Sequence, residues 1–254
     1  MTIDNTLVPL DRDGRILTIS LDRAAKRNAI NRELADQLDA ALNQLDDDPD
    51  IWVGVLTGTS EIFSAGSDLR SRGDYMTDRG GEYGLIRRRR KKPLIAAVEG
   101  IALGGGLEMV LACDLVVASE TATFGLPEVS RGVVATSGAL FRGPRALPLN
   151  VAREILLLGD PIGAARAYAL GFVNVVTRPG EARAGALTLA RRLCKNAPVA
   201  VRASMHALDV LADREEERGW AATEEAIATM SASEDAREGV RAFFEKREPK
   251  WSGR

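Results

Sequence analysis

Histidine is almost missing from this chain of 254 residues, which holds only His206. A zinc protease needs two histidines on one helix and a serine hydrolase usually needs one as base, so His206 alone could serve. Cysteine is nearly as scarce, with Cys113 and Cys194 only. There is no C-x-x-C pair, no ligand cluster and no disulfide framework, which disfavours zinc and iron-sulfur chemistry and suits a reducing compartment. Charge of either sign has no excess: 34 Lys and Arg stand against 36 Asp and Glu, a formal net charge of -2, so no global field draws nucleic acid. No apolar run approaches the roughly 18 residues of a membrane span. The segment MTIDNTLVPL lacks the basic and apolar regions of a signal peptide, so the expectation is a soluble, cytoplasmic protein. No Gly-Lys-Ser/Thr occurs, which removes the P-loop nucleotidases, and the glycines of GIALGGGLE are not spaced G-x-G-x-x-G.

What is present is ordinary globular material, 45% hydrophobic with 24 Gly and 10 Pro, enough for one large domain or one plus a small appendage. RILTISL (15–21), IWVGVLT (51–57), PLIAAV (93–98) and DLVVAS (114–119) read as strands, the middle two as buried ones. Between the first two, Leu34, Leu38, Leu42 and Leu45 recur at helical spacing, with Asn31 as N-cap and Asp46 to Pro49 as the stop. SAGSDL is a tight turn into a short helix, the polar stretch 70–84 is mobile, and a second glycine-rich segment ends near Pro148. From Val151 onward the pattern is mostly helical, with helices over 181–196, 198–230 and 233–247 and a frayed WSGR tail. The fold class is α/β with a helical C-terminal part.

Two glycine turns, Ala65-Gly66-Ser67-Asp68 and Gly104-Gly105-Gly106, each follow an apolar strand and open a helix. Each can point unpaired N–H groups into a cleft, where two donors from separate turns could hold one developing oxyanion; each alone is also compatible with a plain strand-to-helix turn. Glu108 stands in the apolar GLEMVLAC and Glu128 follows a proline at another turn. Sharing a pocket, they would supply acid and base without histidine; apart, they are a first-turn acid and a surface acid.

FSAGSDL, GIALGGGLEMVLACDLVVAS and FGLPEVSRG resemble the signature segments of the enoyl-CoA hydratase/isomerase (crotonase) family, with KRNAI, LLLGDPIGAARAYALGFVNVV and EGVRAFFEKREPKW extending the likeness nearly end to end. The resemblance implies a spiral of strand-strand-helix units over 1–194, a helical trimerisation part over 195–254, and a homotrimer or dimer of trimers (a hexamer). It implies that the backbone N–H groups of Ser67 and Gly105 hold a thioester oxygen. Glu108 then orients and deprotonates water at the β-carbon, and Glu128 gives the proton at the α-carbon. The substrate is an acyl-CoA, coenzyme A being part of it, with no metal or other cofactor. Lys26 and Arg27 are expected near its phosphates and Ala65 and Asp68 on the adenine-side loop. Phe243 and Lys246 are expected against the nucleotide from a neighbouring subunit. The activity implied is hydration of a 2-enoyl-CoA, with isomerisation or dehydration of a functionalised 3-hydroxyacyl-CoA on the same platform as the alternative.

The chain departs from the pattern after Glu128, reading GVVATSGAL where many hydratases have G-x-x-P-x-x-G-G-T, which bears on acyl specificity. The run RRRRKK (87–92) reads as a solvated helix end or a patch countering DDDPD; a non-catalytic RNA-binding member is the reading from another class, and it is disfavoured. His206 and Cys113 read as structural.

Overall fold

The computed structural model describes residues 6–71 and 73–254. Its main sheet has six strands. β1 (Leu10–Asp13) and β2 (Ile16–Ser20) form an antiparallel hairpin; β3 (Val53–Thr57), β6 (Leu94–Val98), β8 (Leu115–Ser119) and β11 (Val175–Thr177) continue from β2 in parallel, in the order β1-β2-β3-β6-β8-β11. The period-two alternation of the apolar residues divides the sheet between two cores. Leu17, Ile19, Leu56, Leu94 and Ala96 face α1 (Arg32–Asp47), whereas Ile16, Val53, Val55, Ile95 and Ala97 face α6 (Ala182–Leu193). Asn31 caps α1 as expected, its Oδ1 accepting the Leu34 N–H at 3.1 Å. Helix α6 meets the sheet through Ala182, Ala186 and Ala190, and its first N–H donates to the buried Glu99 carboxylate at 2.8 Å. The exposed edge β1 carries Asp11 and Asp13, paired with Arg183 and Arg191 of α6.

A smaller sheet positions the site. Its strands β7 (Ile101–Leu103) and β9 (Thr123–Gly125) are parallel, with Leu103 opposite Gly125, and β10 (Ile162–Gly163) pairs antiparallel to β9. Ser64 bridges in parallel to Ala102 on the other side of β7. Three chain segments therefore leave this layer side by side and in one direction.

Several expectations are corrected. The stretch 70–84 holds a hairpin of β4 (Met76–Thr77) and β5 (Gly81–Glu82), tied to α1 by Arg79 on Asp47 at 2.5 Å and Thr77 on Asp39 at 2.8 Å. Leu69–Ser71 makes only a short 3-10 turn. Residues 139–146, inside the second glycine-rich segment, are a helix, α3 (Ala139–Ala146), despite Pro144. Beyond it come α4 (Leu149–Leu158), α5 (Ala164–Ala169), the 35-residue α7 (Pro198–Ala232) and α8 (Glu234–Glu245). The tail is tied down: the Ser252 and Gly253 N–H groups donate to Asp235 at 2.6 and 3.1 Å.

The run 87–92 is not a helix end and is only partly solvated: Arg87, Arg89 and Lys91 are exposed, whereas Arg88 and Lys92 are buried. The Arg88 side chain is 2% exposed and donates to Asp39 at 2.6 Å, Asn43 at 2.8 Å and the Gly84 carbonyl at 3.1 Å. Arg90 forks onto Asp114 at 2.5 and 3.0 Å, Arg87 lies 3.7 Å over the Trp220 ring, and Arg89 pairs with Asp213. Lys92 Nζ caps the end of α1 through the Leu45 and Asp48 carbonyls at 2.7 and 2.6 Å, where the helix dipole favours a cation. Of the DDDPD carboxylates only Asp46 lies within ion-pair distance of the run among the described residues, 3.4 Å from Arg88. No described helix is long and apolar enough to cross a membrane.

Candidate active site

Each of the three segments leaving the small sheet brings one part of the site. The first passes Ser64 and turns at Gly66, whose φ of +88° favours glycine. A Cβ there would lie 2.7 Å from the Leu103 carbonyl and 2.9 Å from the Gly105 nitrogen, so the two glycine turns are in contact. Gly66 O and Asp68 N take the bridging bonds to Ile30, which turns the Ser67 N–H the other way. The second segment leaves β7 through Gly104 into α2 (Gly105–Leu111). As its first residue, Gly105 has an N–H with no intrahelical acceptor. These two neighbouring amides can receive developing negative charge.

Glu108 is five residues beyond Leu103 and Glu128 three beyond its partner Gly125, so the register that pairs β7 with β9 sets both carboxyl groups above the same sheet edge. They line one cavity of about 260 Å³ with Ala65, Ser67, Asp68 and Gly105. Glu108 is 2% exposed, and its Oε1 accepts the Ser137 and Ala139 N–H groups at 2.6 and 3.2 Å. The unusual GVVATSGAL loop is thus what clamps Glu108. Burial, and then the charge of Glu128, push the Glu108 carboxyl up to about 8 against the pull of those two donors. Burial pushes Glu128 up to about 7, opposed by its own backbone N–H and by Arg131. Its Oε2 is buried with no partner among the described residues. Because the two acids interact, their protons belong to the pair. In the half-titrated pair one carboxyl group carries the negative charge and the other the proton. An acid and a base therefore coexist in one cavity near neutral pH.

Tyr83, at φ +59° and fully buried, escaped the sequence reading because it lies in the stretch taken as mobile. Its phenol oxygen is 2.8 Å from Ser67 Oγ and 3.2 Å from Ser137 Oγ, joining the first glycine turn to the loop that holds Glu108. A Cβ on Gly105 would meet that oxygen at 2.6 Å. Burial, and then the Glu108 charge, hold the phenol well above its ordinary range, so it stays a neutral donor.

The remaining expected residues divide. Ala65, Asp68 and Phe243 line the cavity, but the Asp68 carboxylate is taken by Arg23 at 2.8 Å. Lys26 and Arg27 are exposed outside the lining, linked to it where the Ala65 N–H donates to the Arg27 carbonyl at 2.9 Å. Lys246 is exposed at the end of α8, also outside. Phe243 lines the cavity from this chain's own α8. Helix α8 lies against the 3-10 turn Pro127–Arg131 so closely that a Cβ on Gly239 would sit 2.0 Å from the Arg131 carbonyl, and only glycine permits that approach. Arg131, Val133, Val134 and Thr136 also line the cavity, a group that no spacing signal marked. His206 is exposed on α7, and burial pushes the Cys113 thiol up to about 12, so neither joins the chemistry. A second cavity, about 360 Å³, borders the 87–92 run, Asp114, Arg142 and Glu216; its charges largely pair among themselves.

Residues 11–254 match the enoyl-CoA hydratase/isomerase family. Over 246 residues the chain is 42% identical to the mevalonyl-coenzyme A hydratase of Aspergillus fumigatus, covering 93% of this chain and 91% of that one. It is 38% identical over 256 residues to a carnitinyl-CoA dehydratase of Salmonella heidelberg, covering 96% and 98%. Among solved structures, EchA1_1 of Mycobacterium paratuberculosis superposes with a TM-score of 0.93 at 41% identity, covering 99% of this chain and 100% of that one. The carnitinyl-CoA hydratase of Mycobacterium avium does so at 0.92 and 40%, covering 98% and 99%. With two glycine turns in contact and two carboxyl groups over one sheet edge on a crotonase-like fold, the chain belongs to the enoyl-CoA hydratase/isomerase family.

Proposed function

We propose that this chain adds water reversibly to a 2-enoyl-CoA thioester. The observation that carries the reading is the convergence of Glu108 and Glu128 on one cavity beside the Ser67 and Gly105 amides. Those amides hold the thioester oxygen as negative charge builds on it in the enolate. Ionised Glu108 takes a proton from water as the water oxygen bonds to the β-carbon. Protonated Glu128 then delivers its proton to the α-carbon, and dehydration runs the same steps backwards. Lys26 and Arg27 meet the CoA phosphates at the rim, Ala65 and Asp68 flank the adenine-side loop, and Phe243 and Lys246 approach the nucleotide from α8. Apolar side chains left exposed on α7, among them Leu208 and Leu211, support self-association as a homotrimer or dimer of trimers.

Dehydration of a functionalised 3-hydroxyacyl-CoA is the second reading, favoured by relatives named for mevalonyl-CoA and carnitinyl-CoA. It uses the same two acids. The RNA-binding reading is weakened, because Arg88 and Arg90 of the run it needs are engaged by Asp39, Asp46 and Asp114. The test is loss of the conjugated enoyl-thioester absorbance with Glu108→Gln and Glu128→Gln. Each is expected to slow water addition by about 10²- to 10⁴-fold, the usual contribution of a positioned acid or base. If neither does, hydration is the wrong reaction.

A further inference from the structure

We propose that Arg131 makes the acyl end of this cavity a subsite for a short chain that ends in a carboxylate. The inference rests on the acyl-CoA reading above and names the substrate class within it. Glu128 and Arg131 belong to one 3-10 turn, and residues three apart in such a turn eclipse one another. Arg131 therefore stands on the same side as Glu128, roughly 6 Å further along, and both line the cavity. It is the only cation among the described lining residues, where Asp68 is already paired with Arg23 and the other acids are Glu108 and Glu128. Its guanidinium lies 5.4 Å over the Phe243 ring and has no carboxylate within ion-pair distance among the described residues. Val133, Val134, Met230 and Val240 line the same cavity.

A half-buried guanidinium offers a planar fork of donors that matches a carboxylate in two parallel bonds. An alkyl end placed there would leave those donors unpaired, and a cationic end would be repelled. The distance from Glu128 suits a five-carbon acyl chain, whereas the basic residues expected at the phosphates, Lys26 and Arg27, lie outside the cavity.

The experiment compares glutaconyl-CoA with 2-pentenoyl-CoA, chains of equal length that differ in a terminal carboxylate. Wild type is expected to favour glutaconyl-CoA by about 10- to 100-fold in kcat/KM, the worth of one charged hydrogen-bonded contact. Arg131→Gln is expected to collapse that ratio and Arg131→Lys to keep part of it. Equal kcat/KM for the two substrates in wild type overturns the proposal. So does an Arg131→Gln ratio unchanged from wild type while inhibition by free CoA weakens, which would assign the residue to a CoA phosphate. Calorimetric binding of the saturated glutaryl-CoA and valeryl-CoA separates the two readings. A preference for glutaryl-CoA without turnover of any enoyl-CoA keeps the subsite and overturns hydration; turnover without preference does the reverse.

Discussion

Glu108→Gln should make the protein more stable at high pH while disabling it. The wild-type carboxyl is raised from 4.5 to about 8 by burial and by Glu128, so the folded chain holds this proton more tightly than the unfolded one. Above 4.5 the unfolded state has released protons that the folded Glu108–Glu128 pair still holds, and wild-type stability falls as pH rises; once the pair is fully ionised, above about 8, the loss is complete. The shift is between three and four pKa units, each worth about 1.4 kcal/mol, which sets an upper figure of about 5 kcal/mol. Local opening that admits water caps the penalty, so about 2 to 5 kcal/mol should be observed. Glutamine does not titrate, and its amide oxygen can accept the same Ser137 and Ala139 N–H groups. Urea unfolding of both proteins at equal concentration, at pH 5, 7 and 9, gives the difference directly. The variant should gain on wild type at each step. Parallel curves would mean that Glu108 ionises without penalty, and the account of a buried, coupled acid pair would be wrong.

The same pair predicts a bell-shaped pH dependence of kcat/KM, rising as the first proton leaves near 7 and falling as the second leaves near 8; a flat profile from pH 6 to 9 would contradict it. Arg88→Ala should cost about 3 to 5 kcal/mol in urea unfolding, because it strands the Asp39 and Asp46 carboxylates; a loss under about 1 kcal/mol would return Arg88 to the surface. Tyr83→Phe removes the link between Ser67 and Ser137 and should destabilise by about 1 to 3 kcal/mol, with kcat falling more than KM rises; an equal loss in both would make the phenol a packing group only.

Local signals made much of this protein legible. The Leu34, Leu38, Leu42 and Leu45 period and the Asn31 cap are properties of neighbouring residues, and the helix formed where they placed it. The apolar runs around Val53–Thr57 and Leu94–Val98 became buried central strands for the same reason. Glu108 and Glu128 could be singled out by residue type, and the family by its quoted segments. What sequence alone could not decide is every feature that depends on contacts across the chain. Val175–Thr177 is a strand only because β8 pairs with it, and Arg88 is internal only because α1 turns Asp39 and Asp46 toward it. Tyr83 enters the site because the hairpin before it is tied to α1. Phe243 belongs to its own chain's cavity because Gly239 lets α8 close on the turn that carries Glu128. Residue type and spacing determined which groups could ionise, donate or cap. The parallel register of β7 and β9 decided that two acids 20 positions apart share one cavity, since only a long-range pairing can set two distant turns at one sheet edge.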